Sequence, residues 1–180
     1  MSRIFNKVFL VGYMGSGKSH FGEILAKKLN FTFIDTDSYI ENMSGKCISS
    51  IFSDHGEAFF RNLETEAVKA ISLQNKIVVA TGGGLPCFNN NLDFLKNNGI
   101  VIFLDTDLNL LIMRLLNEKL HRPIISEMQD SEQLKSFIED HINKRLPYYG
   151  AAHLSIEILN DDLGFMDDLV RYLKQILDYS

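Results

Sequence analysis

The chain alternates short runs that are apolar throughout with longer stretches in which apolar residues return every three or four positions. Lys7-Val-Phe-Leu-Val11 is β-rich and closed by Gly12, which predicts a buried strand. Beyond Gly17, residues Phe21, Ile24, Leu25 and Leu29 share one face of a helix. Phe31-Thr-Phe-Ile34 predicts a second strand, and Phe60, Leu63, Ala67 and Ile71 predict a helix beginning near Gly56. Ile77-Val-Val-Ala80 and Ile100-Val-Ile-Phe-Leu104 read as the third and fourth strands. Two more helical faces follow, one over Leu108, Leu111, Ile112 and Leu115 and one over Leu134, Phe137, Ile138 and Ile142. His153-Leu-Ser-Ile-Glu-Ile158 predicts the last strand, and Leu169, Leu173 and Ile176 a closing helix. Strands that are apolar on both sides, alternating with amphipathic helices, imply a parallel sheet covered on both faces. Ligands of such sheets sit beyond the carboxyl ends of the strands, so the residues just after each strand carry the interest. The least patterned stretch, Asn117 to Asp130, is expected to be a loop.

Composition narrows this picture. A chain of 180 residues is one α/β domain, and 46% apolar residues are enough for a core. Acidic residues outnumber basic ones, 23 to 18, for a net charge of -5. That balance argues against a protein that coats nucleic acid or a membrane surface. Cys47 and Cys87 stand too far apart in sequence for a thiolate zinc motif, and the five histidines form no i, i+4 pair. The first apolar run is too short for a signal peptide, and no run approaches a membrane span, so a soluble cytoplasmic protein is expected.

The chemistry begins after the first strand. Gly12-Tyr-Met-Gly-Ser-Gly-Lys-Ser19 fits G-x-x-x-x-G-K-[ST] at every defined position, between a strand and a helix. Glycines let backbone N–H groups wrap a phosphate, the helix offers its positive end, Lys18 adds charge and Ser19 offers a hydroxyl to Mg²⁺. No Asn-Lys pair is followed by x-Asp, so a guanine-reading GTPase is excluded and a small kinase is favoured.

Asp35-Thr-Asp37 follows the second strand. Its carboxylates suit a metal and a substrate hydroxyl, or else Asp37 or Ser38 simply caps a helix. Asp105, at the end of the fourth strand, rivals Asp35 as the metal's partner. Gly82-Gly-Gly84 permits a close approach of backbone to ligand. Arg61 has Glu57 at i−4 and Glu64 at i+3, the spacing of a surface ion pair. Arg122 in the irregular loop either closes over a triphosphate or is simply solvated, and Arg145 is expected to end a helix.

Taken in order, Gly12–Ser19, Asp35-Thr-Asp37, Phe60-Arg61 with Glu64, Gly82-Gly-Gly84, Arg122-Pro123 and Arg145-x-Pro147-x-Tyr149 resemble the shikimate kinase family. The resemblance runs from Lys7 to about Tyr149. It implies the nucleoside monophosphate kinase fold, with a five-stranded parallel sheet in order 2-3-1-4-5, a substrate-binding segment over about 37–73 and a lid over about 117–130. It also implies transfer of phosphate from ATP to the 3-hydroxyl of shikimate, with Mg²⁺, by a monomer that binds neither nucleic acid nor membrane. By this likeness Asp37 holds the shikimate hydroxyls and helps deprotonate the attacking one, Arg61 and Arg145 take the carboxylate, and Gly83 supplies a backbone contact. Ser19 ligates Mg²⁺ with Asp35 in support. Gly15, Ser16, Gly17, Lys18, Ser19, His20, Arg114 and Arg122 line the nucleotide, and Lys18 and Arg122 act on the transferring phosphate. His20 stands where the family commonly has Thr. Alternatives are another small-metabolite kinase, acting on gluconate or a nucleotide, and a binding module without chemistry.

Overall fold

A computed structural model describes residues 5–117, 131–160 and 162–177. The elements run β1 (Lys7–Val11), α1 (Lys18–Leu29), β2 (Thr32–Asp35), α2 (Thr36–Ser44), α3 (Ile48–Ile71), β3 (Ile77–Ala80), α4 (Asn91–Asn98) and β4 (Ile100–Thr106). After these come α5 (Leu108–Asn117), α6 (Ser131–Asn143), the single turn α7 (Leu146–Tyr149), β5 (Leu154–Ile158) and α8 (Met166–Ile176). The five strands form one parallel sheet in the order β2-β3-β1-β4-β5, as expected.

The pleat splits each central strand between two cores. Val8 and Leu10 of β1, Val78 of β3 and Ile102 of β4 pack with Phe21, Leu25 and Leu29 of α1 and Val170 and Leu173 of α8. Phe9, Val11, Val79, Val101 and Phe103 face the other way, against Val68 and Ile71 of α3, Leu95 of α4, Leu111 and Leu115 of α5 and Ile138 of α6. Ile40, Ile51, Phe60 and Ala67 form a smaller core between α2 and α3. The edge strand β5 alternates partly buried and exposed positions along Leu154–Glu157, because only one side of an edge is fully covered.

Three elements differ from the periodicity reading. Helix α3 begins at Ile48 and runs through Gly56, whose φ of 79° and ψ of 177° break it into arms 48–55 and 57–71. Only glycine adopts that conformation without strain, so the sequence signal of a helix start marks a bend instead. Helix α4 lacked a signal because its polar sequence buries only Asn91, Leu92 and Leu95. Helix α2 was foreseen only as one reading of Asp35-Thr-Asp37, and its cap is Asp35 rather than Asp37 or Ser38. Among the described residues, no helix is long and apolar enough to cross a membrane.

Candidate active site

The order of the sheet brings the ends of β1, β3 and β2 side by side, so residues 12–19, 81–84 and 35–37 meet at one edge. The turn after β1 is made by glycines at positive φ, Gly15 at 78° and Gly17 at 87°. Gly17 is the N-cap of α1 and contributes no side chain, and no acidic residue occupies the first turn. The first N–H groups of α1 thus end in a cradle whose dipole attracts an anion. Lys18 folds back across the loop, its Nζ donating to Gly12 O at 2.9 Å and Tyr13 O at 2.7 Å. Ser16 is buried, and its carbonyl accepts from Thr106 Oγ1 at 3.3 Å, which ties the loop to β4.

The three residues of Asp35-Thr-Asp37 do three different things. Asp35 Oδ1 accepts from the N–H groups of Asp37 (2.9 Å) and Ser38 (3.3 Å), capping α2. Its Oδ2 accepts from Ser19 Oγ at 2.6 Å. Capping and a polar contact with the phosphate loop are therefore not alternatives, since one carboxylate serves both. Thr36 is buried and its Oγ1 accepts from Gly82 N–H at 2.8 Å, joining β2's end to β3's. Asp37 then points at the glycine run. Asp105 is exposed on β4, in register with Glu157 of β5, whereas the Ser19 hydroxyl donates to Asp35.

Each glycine after β3 faces a different wall. A Cβ on Gly82 would lie 2.6 Å from Asp37 Oδ1 and 2.9 Å from Glu64 Oε1. On Gly83 it would lie 3.4 Å from Met14 N and 3.6 Å from Arg145 Nη1, and on Gly84 it would fall on the Arg61 guanidinium. Asp37, Arg61 and Arg145 thus surround three consecutive backbone units beside the phosphate loop, as required of residues that share one small ligand.

Arg61 is not a surface ion pair. Its side chain is 11% exposed, and its Nη1 donates to Glu64 Oε2 at 2.7 Å, a carboxylate only 1% exposed. Nε and Nη2 both donate to Glu57 Oε1, at 3.1 Å and 2.8 Å, and Glu57 is 58% exposed. Burial works against the Arg61 charge, but Glu64 and Glu57 outweigh it and hold its pKa above the ordinary value. Burial pushes Glu64 up to about 7 despite Arg61, and the charge of Asp37 adds to the rise.

Arg145 does not end a helix as expected. Helix α6 stops at Asn143, and Arg145 is the N-cap of α7, where Pro147 in the first turn directs the chain back to the sheet edge. Its Cζ lies 5.8 Å from the Tyr13 ring centre. Tyr149 of the same turn is fully buried and donates its hydroxyl to Gly83 O at 2.6 Å. Tyr13, 2% exposed, hydrogen-bonds His141 Nδ1 at 2.9 Å. Burial and the nearby Arg145, Lys144 and Arg61 hold His141 below the usual histidine pKa.

On the other side of the phosphate loop, Arg114 Nη1 donates to Gly15 O at 2.9 Å. It borders a cavity of about 130 Å³ lined also by Ser16, His20, Phe21, Leu104, Asn160 and Leu163. Phe21, Leu104, Ile158 and Leu163 are its apolar lining, and Asn160 and Leu163 gave no signal in the sequence. Glu64 and Tyr149 were visible only as members of motifs; their burial depends on the sheet edge. Arg122 and most of the expected lid lie outside the described residues.

The comparisons with known proteins agree with this geometry. The family model described as shikimate kinase matches residues 14–174. A curated shikimate kinase from Bacteroides fragilis is 41% identical over 173 residues, 96% of each chain. The crystal structure of shikimate kinase from Bacteroides thetaiotaomicron superposes with a TM-score of 0.85 at 35% identity, covering 94% of this chain and 96% of that one. The Acinetobacter baumannii enzyme, solved in complex with shikimate, gives 0.79 at 35% identity, with 95% and 92% covered.

Proposed function

The chain belongs to the shikimate kinase family, and from that premise we propose that it transfers the γ-phosphoryl group of ATP to the 3-hydroxyl of shikimate, giving shikimate 3-phosphate and ADP. The observation that carries this reading is the glycine run after β3, walled by Asp37, Arg61 and Arg145 and set against the phosphate loop. A planar carboxylate suits forked guanidinium groups, and a carboxylate among them suits ring hydroxyls.

Within that frame the roles divide by chemistry. Arg61 and Arg145 bind the substrate carboxylate, which exchanges with the exposed Glu57 on the Nε–Nη2 fork while the buried Glu64 stays in place. Gly83 offers its backbone to the ring. Asp37 orients the attacking hydroxyl and accepts its proton. The α1 N-terminus, Lys18 and the N–H groups of residues 15–19 hold the phosphates. Adenine enters the cavity bordered by Arg114, His20 and Asn160. Arg122, carried over by family likeness alone, compensates charge on the transferring group. With little covalent chemistry to perform, alignment and charge compensation supply the rate.

The Ser19 hydroxyl and Asp35 carboxylate, in contact at 2.6 Å, are hard oxygen donors that fit Mg²⁺. This ion takes few protein ligands and fills its shell with water and phosphate oxygens. Once bound, it would neutralise charge on the β- and γ-phosphates. Both substrate sites are built from one chain, which supports a monomeric single domain with its substrate segment over 37–73. The net charge of -5 supports a cytoplasmic enzyme of small molecules rather than a partner of nucleic acid or membrane.

A coupled ADP-release assay with ATP, Mg²⁺ and a panel of acceptors tests the proposal. Shikimate should be turned over, and gluconate or nucleotides should not. Turnover of one of those with none of shikimate overturns it. Arg61→Lys should raise the shikimate KM at least about tenfold with the ATP KM little changed, because an ammonium cannot form the fork.

A further inference from the structure

The loop that leaves the glycine run turns back over Arg61. Phe88, 36% exposed, lays its ring 4.4 Å from the Arg61 Cζ, well inside the range of a cation–π contact. The next residue, Asn89, has a left-handed φ of 52°. Its Nδ2 reaches three acceptors on α3: Thr65 Oγ1 at 3.0 Å, Arg61 O at 3.2 Å and Asn62 Oδ1 at 3.4 Å. One side chain thus fastens the loop to the turn of helix that carries Arg61. The carboxylates of Glu57 and Glu64 constrain only the edges of the guanidinium. Its plane stays free to rock about those edges unless something lies against its face. Gly84 lies against the guanidinium without a side chain, the Phe60 ring centre stands 5.5 Å from Cζ, and Phe88 supplies the nearer ring at 4.4 Å.

We propose that Phe88 and Asn89 are positioning residues for substrate recognition, a bracket that holds the Arg61 plane in the orientation its carboxylate ligand needs. This rests on the reading of Arg61 as a shikimate-carboxylate ligand. Phe88 sets the tilt of the guanidinium, and Asn89 keeps Phe88 over it. A fork accepts a carboxylate only when the two groups are nearly coplanar, so rocking weakens binding before any hydrogen bond is lost. Because Phe88 is partly exposed, truncating it leaves the cores intact.

Steady-state kinetics of wild type, Phe88→Ala, Phe88→Leu, Phe88→Tyr and Asn89→Gly test the bracket. Glycine at 89 keeps the left-handed backbone and removes only the side-chain bonds. Phe88→Ala and Phe88→Leu should raise the shikimate KM about tenfold, with the ATP KM and the melting temperature close to wild type. Phe88→Tyr should restore the wild-type value, and Asn89→Gly should raise the shikimate KM a few-fold. In an Arg61→Lys background, Phe88→Ala should add less than twofold, since both act on one interaction. An unchanged shikimate KM in Phe88→Ala, full rescue by Phe88→Leu, or full additivity with Arg61→Lys overturns the bracket. Absence of shikimate turnover by wild type, or an unchanged shikimate KM in Arg61→Lys, overturns instead the reading on which it rests.

Discussion

Replacing Gly84 with Ala tests the placement of Arg61 without straining the backbone. Gly84 has φ −86° and ψ −25°, a conformation any residue adopts, so the backbone gains no strain. The added methyl would stand 2.4 Å from Arg61 Nη1, 2.7 Å from Cζ and 2.8 Å from Nη2, where ordinary contact begins at 3.4 Å. The guanidinium must therefore retreat by about 1 Å, the difference between those values. A shift of that size stretches the 2.7 Å bond from Nη1 to Glu64 beyond hydrogen-bond range and turns the fork away from the substrate. A charged hydrogen bond contributes about 1.5–3 kcal/mol. Losing one between the turned fork and the substrate carboxylate lowers kcat/KM for shikimate by roughly 10- to 100-fold. The ATP KM should stay near wild type, because no cradle residue moves, whereas the melting temperature should fall by about 3–12 °C, since the buried Glu64 loses its charged partner. Initial rates over a shikimate titration at saturating ATP, with a parallel thermal melt, measure each quantity. Wild-type kcat/KM in Gly84→Ala would refute the argument, as would an equal loss in the ATP titration.

Glu64 gives stability a pH signature. Its native pKa is raised to about 7 from an ordinary 4.5, so its contribution is fully present below about pH 4.5 and lost as pH rises through 7. The loss amounts to about 3 kcal/mol at most. Melting temperature should therefore fall more steeply between pH 5 and pH 8 in wild type than in Glu64→Gln, and parallel curves would contradict the assignment. Tyr149→Phe removes the donor 2.6 Å from Gly83 O in a fully buried place, which should lower the melting temperature by about 2–8 °C and raise the shikimate KM. An unchanged melt would mean that the bond contributes nothing. Lys18→Met should cut turnover at least about a hundredfold while circular dichroism stays native; near-native turnover would remove Lys18 from the chemistry.

What the sequence conveyed, and what it withheld, divides along the range of the interactions. Strands and major helices were legible because each depends on its own periodicity, and the phosphate loop because its contacts span eight neighbouring residues. The spacing of Glu57, Arg61 and Glu64 was equally plain, yet it suggested a solvated helix face. Burial of Glu64 is decided by Gly82 and Asp37, which arrive from two other strand ends through parallel crossovers. Asp35 posed the same problem from the other side. Local reasoning made capping and metal support rivals, and only the approach of Ser19 across sixteen residues reveals that one carboxylate has one oxygen for the cap and one for the Ser19 hydroxyl. Phe88 and Asn89 carried no signal because their partner, Arg61, lies across the rest of α3 and all of β3, 28 residues from Asn89. A recognition pocket assembled from strand ends is therefore poorly legible residue by residue. The motifs name its members, and the order of the strands decides which of them are dry, which are charged and which hold another in place.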